Sequence, residues 1–295
     1  MLSRLPAPLR GVITGFLLGL NTLFTASAMV PPALLKLVLP WEASRRLCDR
    51  ALNGLASAWV ARNNAWLRAV CPPSWDVQGV DGLHRHGWYL VSSNHQSWVD
   101  ILVLQRVFHE RIPFLKFFLK QELIWVPVIG LAWWALDFPF MKRGQGRGAQ
   151  RSDLRATRKA CEKFKRIPTT VINYVEGTRF TPEKRAQQKS PYKHLLKPKV
   201  GGLGVALATM GEQFEALLDV TLVYPNGAPD FWDLLCGRVD AVIVRVQQRE
   251  IPPEVLGCDP IGDKACRERI SAWTEQQWAA KDALIDALMR GDQRL

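Results

Sequence analysis

Residues 11–30 form a run of twenty amino acids that contains no charged side chain. A helix of about twenty apolar residues is long enough to cross the roughly 30 Å hydrocarbon core of a bilayer. Pro31 and Pro32 are expected to break this helix, and residues 33–39 resume the apolar pattern. The segment could span once, enter and leave one leaflet as a helical hairpin, or be a buried helix of a soluble core. Basic residues occur on both sides, so charge bias does not choose an orientation.

The overall composition indicates a sizeable globular domain with an anionic partner. The chain has 295 residues, of which 48% are hydrophobic and 22% charged, and its formal net charge is +12. An excess of this size favours membrane lipid, nucleic acid or a phosphorylated substrate as partner. Twelve tryptophans favour the membrane interface. The six cysteines show no C-x-x-C pair, which favours free thiols over a disulfide framework.

Residues 92–100, SSNHQSWVD, lie between two apolar runs. Residues 88–91 are expected to form a buried strand and residues 99–107 a helix. Asp100 follows His95 by five residues, so its carboxylate can reach one ring nitrogen while the other faces a substrate. The alternative is that Asn94 or Ser97 caps the helix and that His95 is incidental.

Two further strand-like segments also end in polar residues. Residues 171–175 run into Glu176, Gly177, Thr178 and Arg179, and residues 138–144 end in Lys142 and Arg143 followed by a glycine. An arginine fork suits a phosphate, although Glu176 and Arg179 could instead form an ordinary ion pair that closes a turn. With further strands expected at 217–224 and 239–246, the pattern predicts an α/β fold. We expect a mostly parallel or mixed sheet flanked by helices.

At this point the sequence resembles the glycerolipid acyltransferases. Four of its segments follow the order of the four motif blocks of that family, and the likeness covers roughly residues 80–225. They are Asn94-His95-x4-Asp100, then Phe140-Met141-Lys142-Arg143, then Glu176-Gly177-Thr178-Arg179, then residues 220–225 ending in Pro225. The second block departs from the commoner Phe-Ile-Asp-Arg form. The likeness is to the 1-acylglycerol-3-phosphate acyltransferases, in particular their lysocardiolipin acyltransferase-like branch with its bacterial relatives.

The resemblance implies roles for the matched residues. His95 would act as general base and Asp100 would orient it. The substrate-binding residues implied by the blocks are Asn94, Lys142, Arg143, Glu176, Gly177, Thr178, Arg179 and Pro225. Arg179 would bind the acceptor's phosphate, and Lys142 and Arg143 would add positive potential.

The implied reaction moves a fatty acyl group from acyl-CoA or acyl carrier protein to the hydroxyl of a lysophospholipid. The alternatives are a thioester hydrolase and a non-catalytic basic adaptor at a membrane or nucleic acid. No metal or other cofactor is required, and no nucleic acid partner is expected. We expect residues 1–72 to anchor the protein to membrane lipids as a pair of helices and residues 73–295 to form the catalytic domain. The expected location is the bacterial inner membrane, with the active site on the cytoplasmic face.

Overall fold

The computed structural model describes residues 5–39, 41–70, 74–141, 147–260 and 262–291. Within them, the chain forms a helical hairpin followed by a mixed sheet with helices on both faces. This architecture confirms the α/β class predicted from the alternation of strands and helices.

Two long helices, α1 (Ala7–Val38) and α2 (Glu42–Val70), form the hairpin. The prediction that α1 breaks at Pro31 and Pro32 is wrong, because the helix continues through both prolines. Met29 and Ala33, on either side of the prolines, are buried in the core below the sheet. This packing offsets the loss of the two proline N–H donors. Within the described residues, α1 is the one helix long and apolar enough to cross a bilayer, by length and composition alone.

Among the described residues, the main sheet contains β1 (Ser74–Gln78), β2 (Tyr89–Ser93), β3 (Leu115–Phe117), β6 (Thr170–Asn173), β7 (Ala216–Val223) and β8 (Ala241–Arg249). These six strands follow the order β1-β8-β7-β2-β6-β3. All neighbouring strands are parallel except β7 and β8, which are antiparallel. Since β2, β6 and β7 are parallel neighbours, the residues that follow each of them meet at one edge of the sheet.

The segment 138–144 does not supply a third strand to that edge, contrary to expectation. It contributes only β5 (Phe140–Met141), which pairs with β4 (Leu119–Lys120) in a separate two-stranded sheet. A bond from Leu119 N to the Pro139 carbonyl, 2.9 Å long, begins this ladder. The short pairing therefore diverts the segment away from β6.

Helices cover the two faces of the main sheet in two groups. The hairpin, α3 (Val99–Phe108) and α4 (Ile129–Ala135) pack on one side. The other side carries α5 (Arg147–Phe164), α7 (Gly201–Met210) and α9 (Lys264–Met289), and the short helices α6 (Pro182–Gln188) and α8 (Phe231–Leu235) lie in connections. With seven residues, α4 is far shorter than the twenty or so needed to cross a bilayer.

The hairpin and the sheet share one hydrophobic core. Met29 and Ala33 of α1 and Leu52 and Ala56 of α2 belong to the same buried cluster as Val91 of β2. The expected boundary near residue 72 falls between α2 and β1, and it stays a prediction. The hairpin packs as an integral layer of the molecule.

The expectation of free thiols is wrong for one pair of cysteines. Cys258 and Cys266 form a disulfide just before and inside the start of α9. The chain turns back between them, which brings their Cα atoms to 5.8 Å, within the usual range for a disulfide. Cys48, Cys161 and Cys236 are free and buried.

Candidate active site

Asn94 fixes the point at which the chain leaves β2. Its side-chain Nδ2 donates to the Leu222 carbonyl at 2.8 Å, and its Oδ1 accepts from Leu222 N at 2.8 Å. Because the amide group already pairs with the backbone of β7 and is buried, it does not face the cleft. We expected Asn94 to contact the substrate directly, and this geometry does not provide that contact. In this structure Asn94 positions the turn that follows it.

His95 lies in that turn with one ring nitrogen bound and the other open. Its Nδ1 lies 2.8 Å from Asp100 Oδ2, and its ring stacks on Tyr174 with centroids 4.0 Å apart. The side chain is 14% exposed. Its Nε2 has no hydrogen-bond partner among the described residues. The arrangement predicted from the His-x4-Asp spacing is therefore present, with Nε2 available to an incoming group.

Asp100 occupies the first turn of α3 and is completely buried. Its Oδ2 also accepts from Gln96 N at 2.7 Å and from Ser97 N at 2.9 Å, and its Oδ1 accepts from the Tyr224 hydroxyl at 2.8 Å. A negative group is favoured at a helix N-terminus. An ionised carboxylate only accepts hydrogen bonds. It can receive one from each of the four groups around it, which are His95 Nδ1, Gln96 N, Ser97 N and the Tyr224 hydroxyl.

Glu176 joins the site to a second loop rather than facing the cleft. It is completely buried; its Oε1 accepts from His95 N at 2.8 Å and its Oε2 from Leu196 N at 2.9 Å. Burial raises its pKa from 4.5 to about 8. The Glu176–Arg179 pair considered as an alternative is not formed, since Glu176 binds backbone on both sides. Glu176 is thus a positioning residue for His95 in this structure.

The turn after Glu176 presents Arg179 at the rim of the site. Gly177 has a φ of 69°, a conformation that glycine adopts without strain. Phe180 N donates to the His95 carbonyl at 2.7 Å, which locks this turn to the histidine loop. The exposed Arg179 guanidinium lies 5.0 Å from the Trp98 ring centroid. Thr178 Oγ1 accepts from Lys184 Nζ at 2.9 Å and is half-buried.

Three expected substrate-binding residues need separate comment. Lys142 and Arg143 lie outside the described residues. Pro225 lies in the turn after β7, half-buried, whereas the residue before it, Tyr224, is the one that binds Asp100. Sequence reasoning missed Tyr224 and Tyr174, which both fell inside predicted strands. In the structure each tyrosine directly follows a strand that neighbours β2, and β2 leads to His95.

An apolar cavity of about 520 Å³ opens beside the histidine loop. It lies between the hairpin, α3 and α4, and two of its lining residues neighbour the site. The Arg179 guanidinium lies over the ring of Trp98. The ring of Phe117 lies 6.2 Å from the ring of Tyr174, and His95 stacks on Tyr174. Most other lining side chains are hydrocarbon, including Leu18, Ala26, Met29, Ile101, Leu102, Ala132 and Trp133. The cavity can hold a long hydrocarbon chain with one end near His95.

Comparison with known proteins adds four findings. The acyltransferase family model matches residues 74–223. The chain is 28% identical to human (Homo sapiens) 1-acyl-sn-glycerol-3-phosphate acyltransferase delta over 218 residues, covering 68% of this chain and 53% of that protein. It is also 28% identical over 215 residues to 1-acyl-sn-glycerol-3-phosphate acyltransferase 2 of Arabidopsis thaliana, covering 69% of this chain and 52% of that protein.

The chain therefore spans about half the length of the curated relatives it matches. A solved structure shares the fold: the 1-acyl-sn-glycerophosphate (LPA) acyltransferase PlsC from Thermotoga maritima. The TM-score is 0.53 at 19% identity, and the match covers 92% of this chain and 95% of that one.

Proposed function

Since the chain belongs to the acyltransferase family, we propose that it transfers a fatty acyl group from a thioester to the free hydroxyl of a lysophospholipid. The acceptor is 1-acylglycerol-3-phosphate and the product phosphatidic acid, in line with the names of the curated relatives. The donor is acyl-CoA or acyl carrier protein, and the reaction needs no metal or redox cofactor.

The observation that carries this proposal is the open Nε2 of His95 next to the apolar cavity. A general base must lie within hydrogen-bond reach of the proton that it removes. A fatty acyl chain in the 520 Å³ cavity has its thioester end near Trp98, three residues beyond His95. The pair of features supports attack by a hydroxyl on an acyl group held in the cavity.

In the proposed mechanism, His95 Nε2 accepts the proton of the acceptor hydroxyl as its oxygen attacks the thioester carbonyl. The tetrahedral intermediate then collapses, and the thiolate leaves and takes the proton from the imidazolium. Asp100 holds the ring in the tautomer with a proton on Nδ1 and stabilises the charge that forms on it. Holding both substrates in one geometry supplies much of the remaining acceleration.

We assign the acceptor's phosphate to Arg179, with Thr178, Gly177, Lys142 and Arg143 shaping and charging the same site. Arg179→Ala should raise the KM for the lysophospholipid about ten- to a hundredfold, the value of a charge-assisted hydrogen bond, and leave the KM for the thioester near wild type. Arg179→Lys should recover only part of the affinity for the lysophospholipid. The lysine ammonium is a point charge and does not reproduce the planar fork of N–H donors that a guanidinium offers to a phosphate. Equal losses for both substrates together with a lower melting temperature would instead indicate a structural role.

We further propose that the hairpin anchors the protein to membrane lipids, at the cytoplasmic face of a bacterial inner membrane. Large apolar side chains on α1 remain exposed, among them Val12, Phe16, Leu20, Leu23 and Phe24. An amphipathic or apolar helix with such a face binds within the lipid interface. This location would bring the cavity and the rim of the site close to lysophospholipid.

Purified protein incubated with palmitoyl-CoA, with and without lysophosphatidic acid, tests the function directly. We expect phosphatidic acid and free CoA in equal amounts, and little CoA release without the acceptor. His95→Ala should lower the rate by about a hundred- to ten-thousandfold while keeping the wild-type melting temperature. Equal CoA release with and without acceptor would make the protein a thioester hydrolase, and no release at all would leave a binding role.

A further inference from the structure

The N-terminus of α7 presents backbone donors that nothing in the described chain caps. Helix α7 begins with Gly201 and Gly202, and its N-cap residue, Val200, supplies no side-chain hydrogen bond. The N–H groups of Gly201, Gly202 and Leu203 have no partner among the residues described. Helix N-termini with free N–H groups carry a partial positive charge and bind anions.

Asn173 provides an independent sign that a ligand belongs here. It is the last residue of β6 and is only 9% exposed, and its side-chain Nδ2 is buried with no hydrogen-bond partner in the described part of the chain. This nitrogen lies 3.3 Å from the position that a Cβ on Gly202 would occupy. A buried amide donor left unpaired costs free energy unless a ligand or water accepts from it.

Lys199, the residue directly before the N-cap Val200, adds a full positive charge to this part of the chain. Its N–H donates to the Val175 carbonyl at 2.6 Å, and its exposed side chain crosses Gly177, with Cδ 3.3 Å from the position of a Cβ there. No ion-pair partner of its ammonium group is found in the described part of the chain. The cluster of Lys199, Asn173 Nδ2 and the α7 N–H groups therefore offers several donors to an anion.

We propose that this cluster binds the phosphate of the acyl donor's phosphopantetheine arm. The assignment rests on the proposed acyltransferase function and goes further by giving the donor its own anion site. Coenzyme A and acyl carrier protein both carry the acyl thioester at one end of pantetheine and a phosphate at the other. One site can thus serve either donor.

The acceptor's phosphate already has a proposed site, which leaves this cluster for the donor's phosphate. In 1-acylglycerol-3-phosphate only a few bonds separate the phosphate from the attacking hydroxyl, so its site must lie close to His95 Nε2, and we assign it to Arg179. The α7 donors come after Leu196, whose N–H binds the Glu176 oxygen that does not bind His95 N. The long pantetheine arm lets the donor's phosphate bind away from the thioester carbonyl that is attacked at His95.

Two donors that differ only in the phosphate test the proposal: palmitoyl-4′-phosphopantetheine and palmitoyl-pantetheine, each with lysophosphatidic acid as acceptor. We expect wild-type kcat/KM to be about ten- to a hundredfold higher with the phosphorylated donor, the size of one or two charge-assisted hydrogen bonds. In Lys199→Gln this preference should fall toward unity, with the KM for lysophosphatidic acid unchanged. The matched control is Lys197→Gln, which removes an exposed charge two residues away and should keep the full preference.

A second variant separates binding from folding. Gly201→Asp places a carboxylate at the start of α7, where it stabilises the helix and repels a phosphate. The melting temperature should hold or rise while the preference for the phosphorylated donor disappears. A loss of preference in Lys199→Gln but not in Gly201→Asp would overturn the helix N-terminus as the site.

The outcomes distinguish this proposal from the function on which it rests. Equal transfer from both donors by the wild type would overturn the phosphate site and leave the acyltransferase function standing. A rise in the KM for lysophosphatidic acid alone in Lys199→Gln would assign the cluster to the acceptor and overturn the proposal. Transfer from neither donor, together with no transfer from palmitoyl-CoA, would refute the acyltransferase function itself.

Discussion

His95 is held from three directions, and each contact serves a different purpose. Asp100 binds Nδ1, Glu176 binds the backbone N–H, and the Tyr174 ring stacks on the imidazole. The Tyr174 hydroxyl is buried and has no partner among the described residues, and burial raises its pKa well above 10, so the ring stays neutral. An aromatic face attracts a cation, so in the proposed mechanism this stack would stabilise the imidazolium formed by proton transfer.

Tyr224→Phe should lower kcat about three- to tenfold, because Asp100 Oδ1 loses its donor and the buried carboxylate is less firmly held. The KM values for donor and acceptor should stay near wild type, since Tyr224 is buried and its hydroxyl binds Asp100. Steady-state kinetics with each substrate varied in turn measure this split. Tyr89→Phe is the matched control, as it removes a tyrosine hydroxyl at the far end of β2. An unchanged kcat in Tyr224→Phe would remove Tyr224 from the positioning of Asp100.

The buried Glu176 carboxyl predicts a pH-dependent stability. Its pKa is about 8 in the folded protein against 4.5 ordinarily, so the folded state binds this proton more tightly than the unfolded state. The resulting stabilisation is complete below pH 4.5 and is lost as pH rises through 8. Relative to Glu176→Gln, which has no such proton, wild type should lose on the order of 4 kcal/mol across this window. Urea unfolding of both proteins at intervals from pH 5 to 9 measures the difference; parallel curves would mean that Glu176 does not titrate there.

At the level of elements, the hairpin has an exposed apolar face and is also part of the core. Its inner side contributes Met29 and Ala33 to the central cluster, and Lys36 binds Asp49 at 2.7 Å and also Asp137. Deleting α1 would therefore expose the core and leave Asp49 without its cation. Substitutions confined to the outer face test membrane binding more cleanly than truncation.

Phe16→Asp combined with Phe24→Asp should release the protein from anionic vesicles in high salt, where wild type remains bound. These side chains are 68% and 66% exposed, and each aspartate costs up to about 3 kcal/mol at the centre of a bilayer. Vesicle sedimentation measures binding, and the melting temperature in detergent should not change. Met289→Asp, at an exposed apolar position on α9, is the control and should stay bound. Full retention of the double variant would show that α1 is not the anchor.

Helix α9 supports the site from the opposite face of the sheet. Trp278 Nε1 donates to the Leu196 carbonyl at 2.9 Å, and Asp282 accepts from Lys193 N and His194 N at 2.8 and 2.7 Å. Leu196 N in turn binds Glu176. Helix α9 is thus joined to the His95 loop through three hydrogen bonds, by way of Leu196 and Glu176, and it orders the segment that leads into α7.

For the molecule as a whole, the cavity between hairpin and sheet predicts control of acyl-chain length. Ala132 on α4 lines the cavity, and Ala132→Phe should fill part of it. The ratio of kcat/KM for palmitoyl-CoA to that for octanoyl-CoA should fall about tenfold or more. Several methylenes of the palmitoyl chain would no longer be buried in the cavity, and burial of each contributes about 0.8 kcal/mol to binding. Leu131→Phe, on the neighbouring exposed position, is the control and should keep the ratio. An unchanged ratio in Ala132→Phe would place the acyl chain elsewhere.

The sequence alone determined the features that depend on local pattern. Strand and helix periodicity predicted the α/β class. The His-x4-Asp spacing predicted the His95–Asp100 contact, because the two residues are only five positions apart across the turn that leads into α3. The position of Arg179 at the rim also followed, since it comes shortly after a buried strand. These predictions needed no knowledge of distant contacts.

Only the tertiary structure decided the features that join distant parts of the chain. Tyr224 and Asp100 are 124 positions apart and Glu176 and His95 are 81 apart, so no spacing rule brings them together. Likewise, α1 continues through two prolines, and β5 leaves the main sheet for a pairing with β4. In each case burial or long-range pairing outweighed the local preference. The free energy of this burial and pairing is gained only once the parallel strands and the hairpin have packed.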